Sequence, residues 1–418
     1  MGIHHRTIYR HVSLSPTWLE RRVDTLCVDL QQDGIKPGDT LITDGSPLPA
    51  LLLTHAAERL GCRLTSFDPT WPETLREGFI RAARTRSPQI PPDTRLVLAT
   101  SGSSGQPKAV LLTAGNLHSN AVAVCQQLEV SARDVWLCCL PLTHSGGLAI
   151  LHRCAVSGAA LLLHDWFDPE QVLREIQHYR VSGISLVPSM LQRLLAGQDA
   201  FPPPKSLRFA LIGGAPLSAR LAEQAIQSGW PICPTYGMTE TCSMVSVCYP
   251  PPASWQPGQA GQVLGHLEVG FGEGQRIRVR GSSIMVGYAY PEQPFTPHPS
   301  GVWLETGDAG HLDASGQLVV EGRLDDVIIS GGENVHPRQV EECLLQHPAV
   351  TGVMVGGKPD EQWGNVLVAA FTGEVGEVEL ESWCRQHLHG AFRPRHFIKL
   401  DRLPLTANHK PDYRLLFS

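Results

Sequence analysis

Short, mostly apolar runs separated by amphipathic stretches set the pattern of this chain from about residue 95 onward. Leu96–Ala99, Val135–Leu140, Ala160–Leu163, Ile184–Val187 and Leu207–Ile212 are near-continuous in apolar residues, which predicts strands buried on both faces. Several of the stretches between them have helical spacing. Val172, Ile176 and Tyr179 fall on one face of a segment opened by Asp168-Pro169. Ser218 is placed to cap another that buries Leu221, Ala222, Ala225 and Ile226. Such alternation predicts a largely parallel sheet covered on both faces.

Residues 250–300 break the pattern: they are rich in Pro and Gly, with short alternating segments such as Gln275–Arg280. This predicts a small β subdomain over about residues 250–320. Past Gly322-Arg323-Leu324-Asp325 come a predicted helix (Arg338–Gln346), strands at Gly352–Val355 and Val366–Phe371, and a helix over Leu380–Leu388. The expected fold class is α/β. A large N-terminal domain of parallel-sheet layers, residues 1–324, carries the β subdomain, and a small α+β C-terminal domain spans residues 325–418.

Composition narrows the function classes. With 42% hydrophobic residues the 418-residue chain can bury a sizeable core, and 40 Gly with 33 Pro fit a loop-rich fold better than a helical bundle. The net charge of −6 gives no global basic field for nucleic acid. No apolar run approaches the roughly 18 to 20 residues needed to cross a bilayer. Met1–Arg6 lacks the apolar core of a signal peptide, so the expectation is a cytoplasmic protein without membrane insertion. Eleven Cys without a CxxC pair predict reduced, mostly buried thiols rather than zinc ligands or disulfides.

The most informative segment is Thr100-Ser101-Gly102-Ser103-Ser104-Gly105-Gln106-Pro107-Lys108. It follows a predicted strand and precedes a predicted helix capped by Thr113. Its small, hydroxylated residues allow close backbone approach, so that N–H groups, hydroxyls and a Lys can surround phosphate oxygens. Ala109 after Lys108 separates it from the Walker loop, which has Ser or Thr there.

This loop resembles the phosphate-binding signature of the adenylate-forming superfamily, which comprises acyl-CoA synthetases, luciferases and adenylation domains. Further matches follow in the family's order: Tyr236-Gly237-Met238-Thr239-Glu240-Thr241, Thr306-Gly307-Asp308, Gly322-Arg323-Leu324-Asp325-Asp326, Ser330-Gly331-Gly332-Glu333-Asn334 and Pro404-Leu405-Thr406-Ala407-Asn408-His409-Lys410. They cover about residues 95 to 415. One departure is His409, where the family usually has Gly before the catalytic Lys.

The resemblance implies ATP, Mg²⁺ and coenzyme A as cofactor and co-substrates. Thr239 would bond the phosphates and Glu240 hold Mg²⁺, a hard cation that prefers oxygen. Tyr236, beside Gly237, would stack on adenine, with Gly213-Gly214-Ala215 along its other side. Asp308 would bond the ribose hydroxyls, with Arg323 nearby. Lys410 would place its charge between the substrate carboxylate and the α-phosphate. Asp325 would be the hinge of a mobile C-terminal domain that next brings Gly331, Gly332 and Glu333 beside the pantetheine. The 99 residues before Thr100 are fewer than the family's norm, which implies a shortened first subdomain over 1–94.

The acyl loop Leu140-Pro141-Leu142-Thr143-His144-Ser145-Gly146-Gly147-Leu148 resembles that of CoA ligases, with His144 near the bound carboxylate. No acidic residue lies between Pro141 and His152 to bind an α-amine, which argues against an amino acid substrate. Asp134–Leu151, Leu207–Gln227 and Thr235–Val247 look most like o-succinylbenzoate–CoA ligases of menaquinone and phylloquinone synthesis. Such a substrate carries a second carboxylate, for which Ser145, Arg153, Thr235, Ser243 and Ser246 are the candidate donors, unranked, with Gly146 a further acyl-binding position. The alternatives are another aryl- or acyl-CoA ligase, an adenylation enzyme loading a carrier protein, and, more remotely, a non-catalytic acyl-adenylate binder. A homodimer is expected by analogy only.

Overall fold

Six strands run parallel through the largest sheet: Thr7–Tyr9, Ala160–Leu163, Val135–Cys138, Gly183–Leu186, Phe209–Ile212 and Ile232–Met238, in that spatial order. The structure is a computed structural model, and it describes residues 3–100, 108–197, 202–293, 295–360, 363–405 and 411–417. Four of the five predicted apolar runs form the centre of this sheet, and the fifth, Leu96–Ala99, lies within Thr94–Thr100 of a second one. Beyond Ile232–Met238 the sheet turns antiparallel. It continues through Ser243–Val247, Gln259–Val263, Leu318–Arg323, Leu304–Leu312, Arg276–Gly281 and Leu267–Phe271.

The second sheet orders Thr40–Thr43, Arg63–Ser66, Thr94–Thr100, Lys108–Thr113, Gly287–Ala289 and Thr296–Pro297. It differs from the expectation in two ways. The helix after the predicted phosphate-binding loop is capped by Thr113 as expected, but a further strand stands between the loop and that helix. The loop joins two antiparallel strands, Thr94–Thr100 and Lys108–Thr113, and the helix begins only at Ala114. The reason is that Ala109–Leu112 is itself apolar and fully buried, so it completes the sheet before the chain turns helical. The Pro/Gly-rich region is also divided, since Gly287–Ala289 leaves the antiparallel part to pair with Lys108–Thr113.

Caps fall where the side chains allow. Thr113 Oγ1 accepts from Asn116 N–H while Asn116 Oδ1 accepts from Thr113 N–H, a reciprocal capping box. Asp168 caps Pro169–His178, which buries Val172 and Ile176, and Ser218 caps Ala219–Gln227. Trp136 and Phe209 meet edge-to-face at 5.0 Å in the core. All eleven Cys are unpaired and buried. Among the described residues no helix is long and apolar enough to cross a membrane.

The C-terminal unit has its own apolar cluster, including Val340, Leu344, Phe371 and Leu380. Helices Pro337–Leu345 and Glu377–His387 pack with a hairpin of Val350–Asp360 and Gly364–Gly373, and His396–Lys399 joins it in parallel. Arg220 ties this unit to the large one, donating from Nη1 to the carbonyls of His347 and Val350 at 3.3 and 2.9 Å. Ala219 N–H donates to Glu342, and Arg338 donates to the Val320 carbonyl.

Replacing Thr113 by Ala should cost about 1 kcal/mol, since one half of the capping box is lost. The measurement is the shift in urea midpoint against wild type, and an unchanged midpoint would mean the box is idle.

Candidate active site

The two sheets converge at the end of Ile232–Met238. Ser243–Val247 folds back against that strand, with Tyr236 opposite Ser246 and Gly237 opposite Met244. A Cβ on Gly237 would occupy the space of the Ser243 carbonyl, so only glycine permits this approach. The reversal is one 3₁₀ turn, Thr239–Thr241, followed by Cys242 and Ser243 at φ 61° and 126°. Buried Thr241 closes it, its hydroxyl lying 3.0 Å from the Met238 carbonyl. Asn120, buried on helix Ala114–Gln127, donates to the carbonyls of Thr241 and Met244 at 3.2 and 2.8 Å. Thr239 and Glu240 are left half-buried at the tip.

That turn packs against Thr94–Thr100 and Lys108–Thr113, which bring Thr100 and Lys108 to the same place. Tyr288 joins them. Its hydroxyl donates to Glu240 Oε1 at 2.9 Å, and Lys108 Nζ lies 5.3 Å from the centre of its ring. Burial, and then the Glu240 charge, push the Tyr288 hydroxyl far up, so it stays a donor. The sequence reading missed both Tyr288 and Asn120. An aromatic residue in a Pro/Gly-rich stretch gives little signal, because its partner strand lies far back in the chain.

A second group forms on the neighbouring strands. Asp308 and Arg323 are cross-strand partners, and Tyr236 donates to Asp308 Oδ2 at 2.7 Å. Arg323 Nη1 stands 3.8 Å from Asp308 Oδ1, while Nη2 donates to Asp325 at 3.0 Å. Burial, and then Asp308, raise the Tyr236 hydroxyl well above its ordinary range. Gly213-Gly214-Ala215 leaves the strand Phe209–Ile212, and Gly213 sits so close to Thr235 Oγ1 that a Cβ would not fit. Tyr236, Asp308 and Arg323, predicted to act on one nucleotide, are thus in mutual contact.

His144 is the N-cap residue of helix Ser145–Ser157, with Ser145 and Gly146 in its first turn. Two turns on, Arg153 is only 2% exposed. Its guanidinium lies 5.5 Å from the centre of the Trp136 ring, and Nη2 is 3.4 Å from Ser243 Oγ. Its Nε–H has no partner among the described residues, and burial lowers its pKa to about 10. Thr235 donates to the Ile212 carbonyl at 3.2 Å, and Ser246 is fully buried with no partner for its Oγ among the described residues.

Chain comparisons decide what this arrangement belongs to. Residues 74–289 match the AMP-binding enzyme family, and residues 339–410 match the AMP-binding enzyme C-terminal domain. The chain belongs to the AMP-binding enzyme family. It is 38% identical over 330 residues to 2-succinylbenzoate–CoA ligase of Bacillus velezensis, covering 76% of this chain and 67% of that one. It superposes on o-succinylbenzoate CoA synthetase of Bacillus subtilis in complex with the acyl-adenylate intermediate OSB-AMP with a TM-score of 0.89. That pair is 30% identical and covers 99% of this chain and 95% of the other. Against a double mutant of the same enzyme bound with the product analogue OSB-NCoA the TM-score is 0.71, at the same identity and coverage.

Not every expected residue of this AMP-binding enzyme is in the cluster. Ser101, Gly102, Ser103, Ser104 and Gly105 lie outside the described residues, as do His409 and Lys410. Gly331 and Gly332 form the turn of a hairpin between Ile328–Ser330 and Glu333–Val335, at φ 58° and 84°. This turn and Glu333 are exposed, and Gly331 N–H donates to Trp363 of the same unit. Among the described residues no hydrogen bond links it to the Glu240 or Asp308 groups.

Tyr288→Phe removes the donor to Glu240, and a bond to a charged group is worth about 1.5–3 kcal/mol. Acid-dependent exchange of pyrophosphate into ATP should fall roughly tenfold or more, with a raised Mg²⁺ requirement. Wild-type exchange and an unchanged Mg²⁺ titration would show that Tyr288 is a bystander.

Proposed function

We propose that this AMP-binding enzyme is a 2-succinylbenzoate–CoA ligase. The observation that carries the substrate is the 38% identity over 330 residues to the Bacillus velezensis ligase. One substrate carboxylate oxygen attacks the α-phosphate of ATP, expelling pyrophosphate and leaving an acyl-adenylate. The CoA thiol then attacks the acyl carbon, the acyl–O bond breaks, and AMP departs with that oxygen.

The chain's own residues supply position and charge. Tyr236 flanks the adenine, and Asp308, held by Tyr236 and Arg323, accepts from the ribose hydroxyls. Thr100, Lys108 and Thr239 bind phosphate oxygens together with the loop 101–105. Glu240 is a half-buried carboxylate whose Oε1 is oriented by Tyr288, and an oxygen-only donor of this kind fits Mg²⁺. When bound, Mg²⁺ offsets negative charge on the phosphates. His144 lines the acyl carboxylate, and Lys410 is the cation at the point of attack.

Arg153 and Ser243 are the best-supported anchor for the second carboxylate, because this buried guanidinium carries a free N–H and no carboxylate partner among the described residues. The 0.89 agreement with the adenylate complex, against 0.71 with the product analogue, favours an adenylation arrangement of the two domains. Rotation about Asp325 would then present Gly331, Gly332 and Glu333 for the thiol step. A cytoplasmic homodimer is the setting this reading carries with it.

Incubation with MgATP, CoA and a carboxylate panel, read by mass spectrometry of the thioesters, tests the reading. It should show o-succinylbenzoyl-CoA well above benzoyl, 4-hydroxybenzoyl, cinnamoyl or medium-chain products. Preference for a monocarboxylate would discard the substrate, and ATP consumption without any thioester would point to a carrier-protein acceptor. Arg153→Met should raise KM for o-succinylbenzoate roughly tenfold or more, with a smaller effect on a monocarboxylate. Equal effects on both acids would remove Arg153 from the pocket.

A further inference from the structure

Glu341 is a carboxylate buried inside the C-terminal unit. It sits on helix Pro337–Leu345 at 8% exposure, with no Lys, Arg or His in ion-pair distance among the described residues. Burying a carboxylate without a cation is costly, and an apolar residue of similar volume is usually at least as stable. Burial indeed pushes its pKa up to about 7, against the help of its two hydrogen bonds and of the more distant Arg338 charge on the same helix. Both bonds fall on one oxygen: Oε1 accepts from Val355 N–H at 2.8 Å and from the Tyr413 hydroxyl at 2.9 Å.

Tyr413 lies three residues after Lys410 in the chain. The segment 406–410 that carries the lysine is bounded by a closed base. Leu405 and Pro411 form an antiparallel bridge, and Asp412 N–H donates to the Pro404 carbonyl at 2.9 Å. Beyond Tyr413, the Phe417 ring lies against Gly356, where a Cβ would not fit. The base is thus held to the hairpin Val350–Asp360 at Phe417 and to the helix at Tyr413.

That same helix is the one facing the large domain. Its Glu342 accepts from Ala219 N–H, and its Arg338 donates to the Val320 carbonyl at 3.1 Å. Three side chains of one helix therefore contact Tyr413, just past the segment that carries the lysine, and Ala219 and Val320 of the large domain. We propose that Glu341 is a positioning residue for adenylation, which acts through the Tyr413 hydroxyl on the loop that delivers Lys410. It touches neither substrate nor reacting atoms. The inference rests on the reading above that Lys410 serves the first half-reaction.

The test separates the two half-reactions in the full-length enzyme. Adenylation is read by acid-dependent exchange of pyrophosphate into ATP, and the thiol step by thioester formed from supplied acyl-adenylate and CoA. Glu341→Leu, which keeps the volume, and Tyr413→Phe, which keeps the ring, should each slow adenylation about tenfold. The thiol step should stay within about twofold of wild type, because neither the two hydrogen bonds lost in Glu341→Leu nor the one lost in Tyr413→Phe involves Gly331, Gly332 or Glu333. Glu341→Gln retains an oxygen able to accept both bonds and should restore adenylation to near the wild-type rate, with an unchanged melting temperature.

The double variant Glu341→Leu/Lys410→Ala should be no slower in adenylation than Lys410→Ala alone, since both act on one group. Equal losses in both half-reactions, or additive losses in the double variant, would overturn the proposal in favour of a purely structural Glu341. Normal adenylation in Glu341→Leu while Lys410→Ala is slow would also overturn it. Normal adenylation in Lys410→Ala would instead overturn the underlying assignment of that lysine.

Discussion

The missing side chain at Gly237 is the constraint on which the active-site geometry depends. Because the Ser243 backbone can lie against it, the last parallel strand is answered at once by an antiparallel one. The chain must then reverse within Thr239–Cys242, and the strained φ values at Cys242 and Ser243 are what that tight reversal requires. Thr241 and Asn120 satisfy the carbonyls that the reversal would otherwise orphan. Thr239 and Glu240 project from the tip as a consequence, facing the strands that begin and end the phosphate loop. Any larger residue at 237 would move both together.

Two tyrosine–carboxylate pairs then do parallel work on either side of that point. Tyr288 orients Glu240, and Tyr236 orients Asp308. In each case burial and the adjacent charge keep the phenol protonated, so a neutral donor orients the carboxylate. A carboxylate held through one oxygen in this way keeps its remaining lone pairs free to accept other hydrogen bonds.

Much of this was legible in the chain because it is local. Asp168, Ser218 and Thr113 announce their helices through capping chemistry that needs only three or four following residues, and Val172 with Ile176 shows its buried face by spacing alone. The ordered motifs located Tyr236, Asp308 and Arg323 before any pairing was known. The strand Lys108–Thr113 was not legible as such: an apolar run followed by a cap reads equally well as the approach to a helix, and its partner Gly287–Ala289 lies far along the chain. Glu341 and Tyr288 were hidden for the same reason. A charged side chain on an amphipathic helix looks solvated until packing from distant elements covers it, and only the tertiary structure shows that Arg153 and Glu341 are buried.

The central claim is that this cluster joins a carboxylate oxygen to the α-phosphate. It is tested most directly with o-succinylbenzoate carrying ¹⁸O in its carboxyl groups, turned over with MgATP and CoA, and with mass spectrometry of the nucleotide product. The account predicts AMP containing one ¹⁸O, because the oxygen that attacked phosphorus leaves with AMP when the thiol takes the acyl group. Unlabelled AMP, or label in the released phosphate species, would place the attack elsewhere and contradict the account.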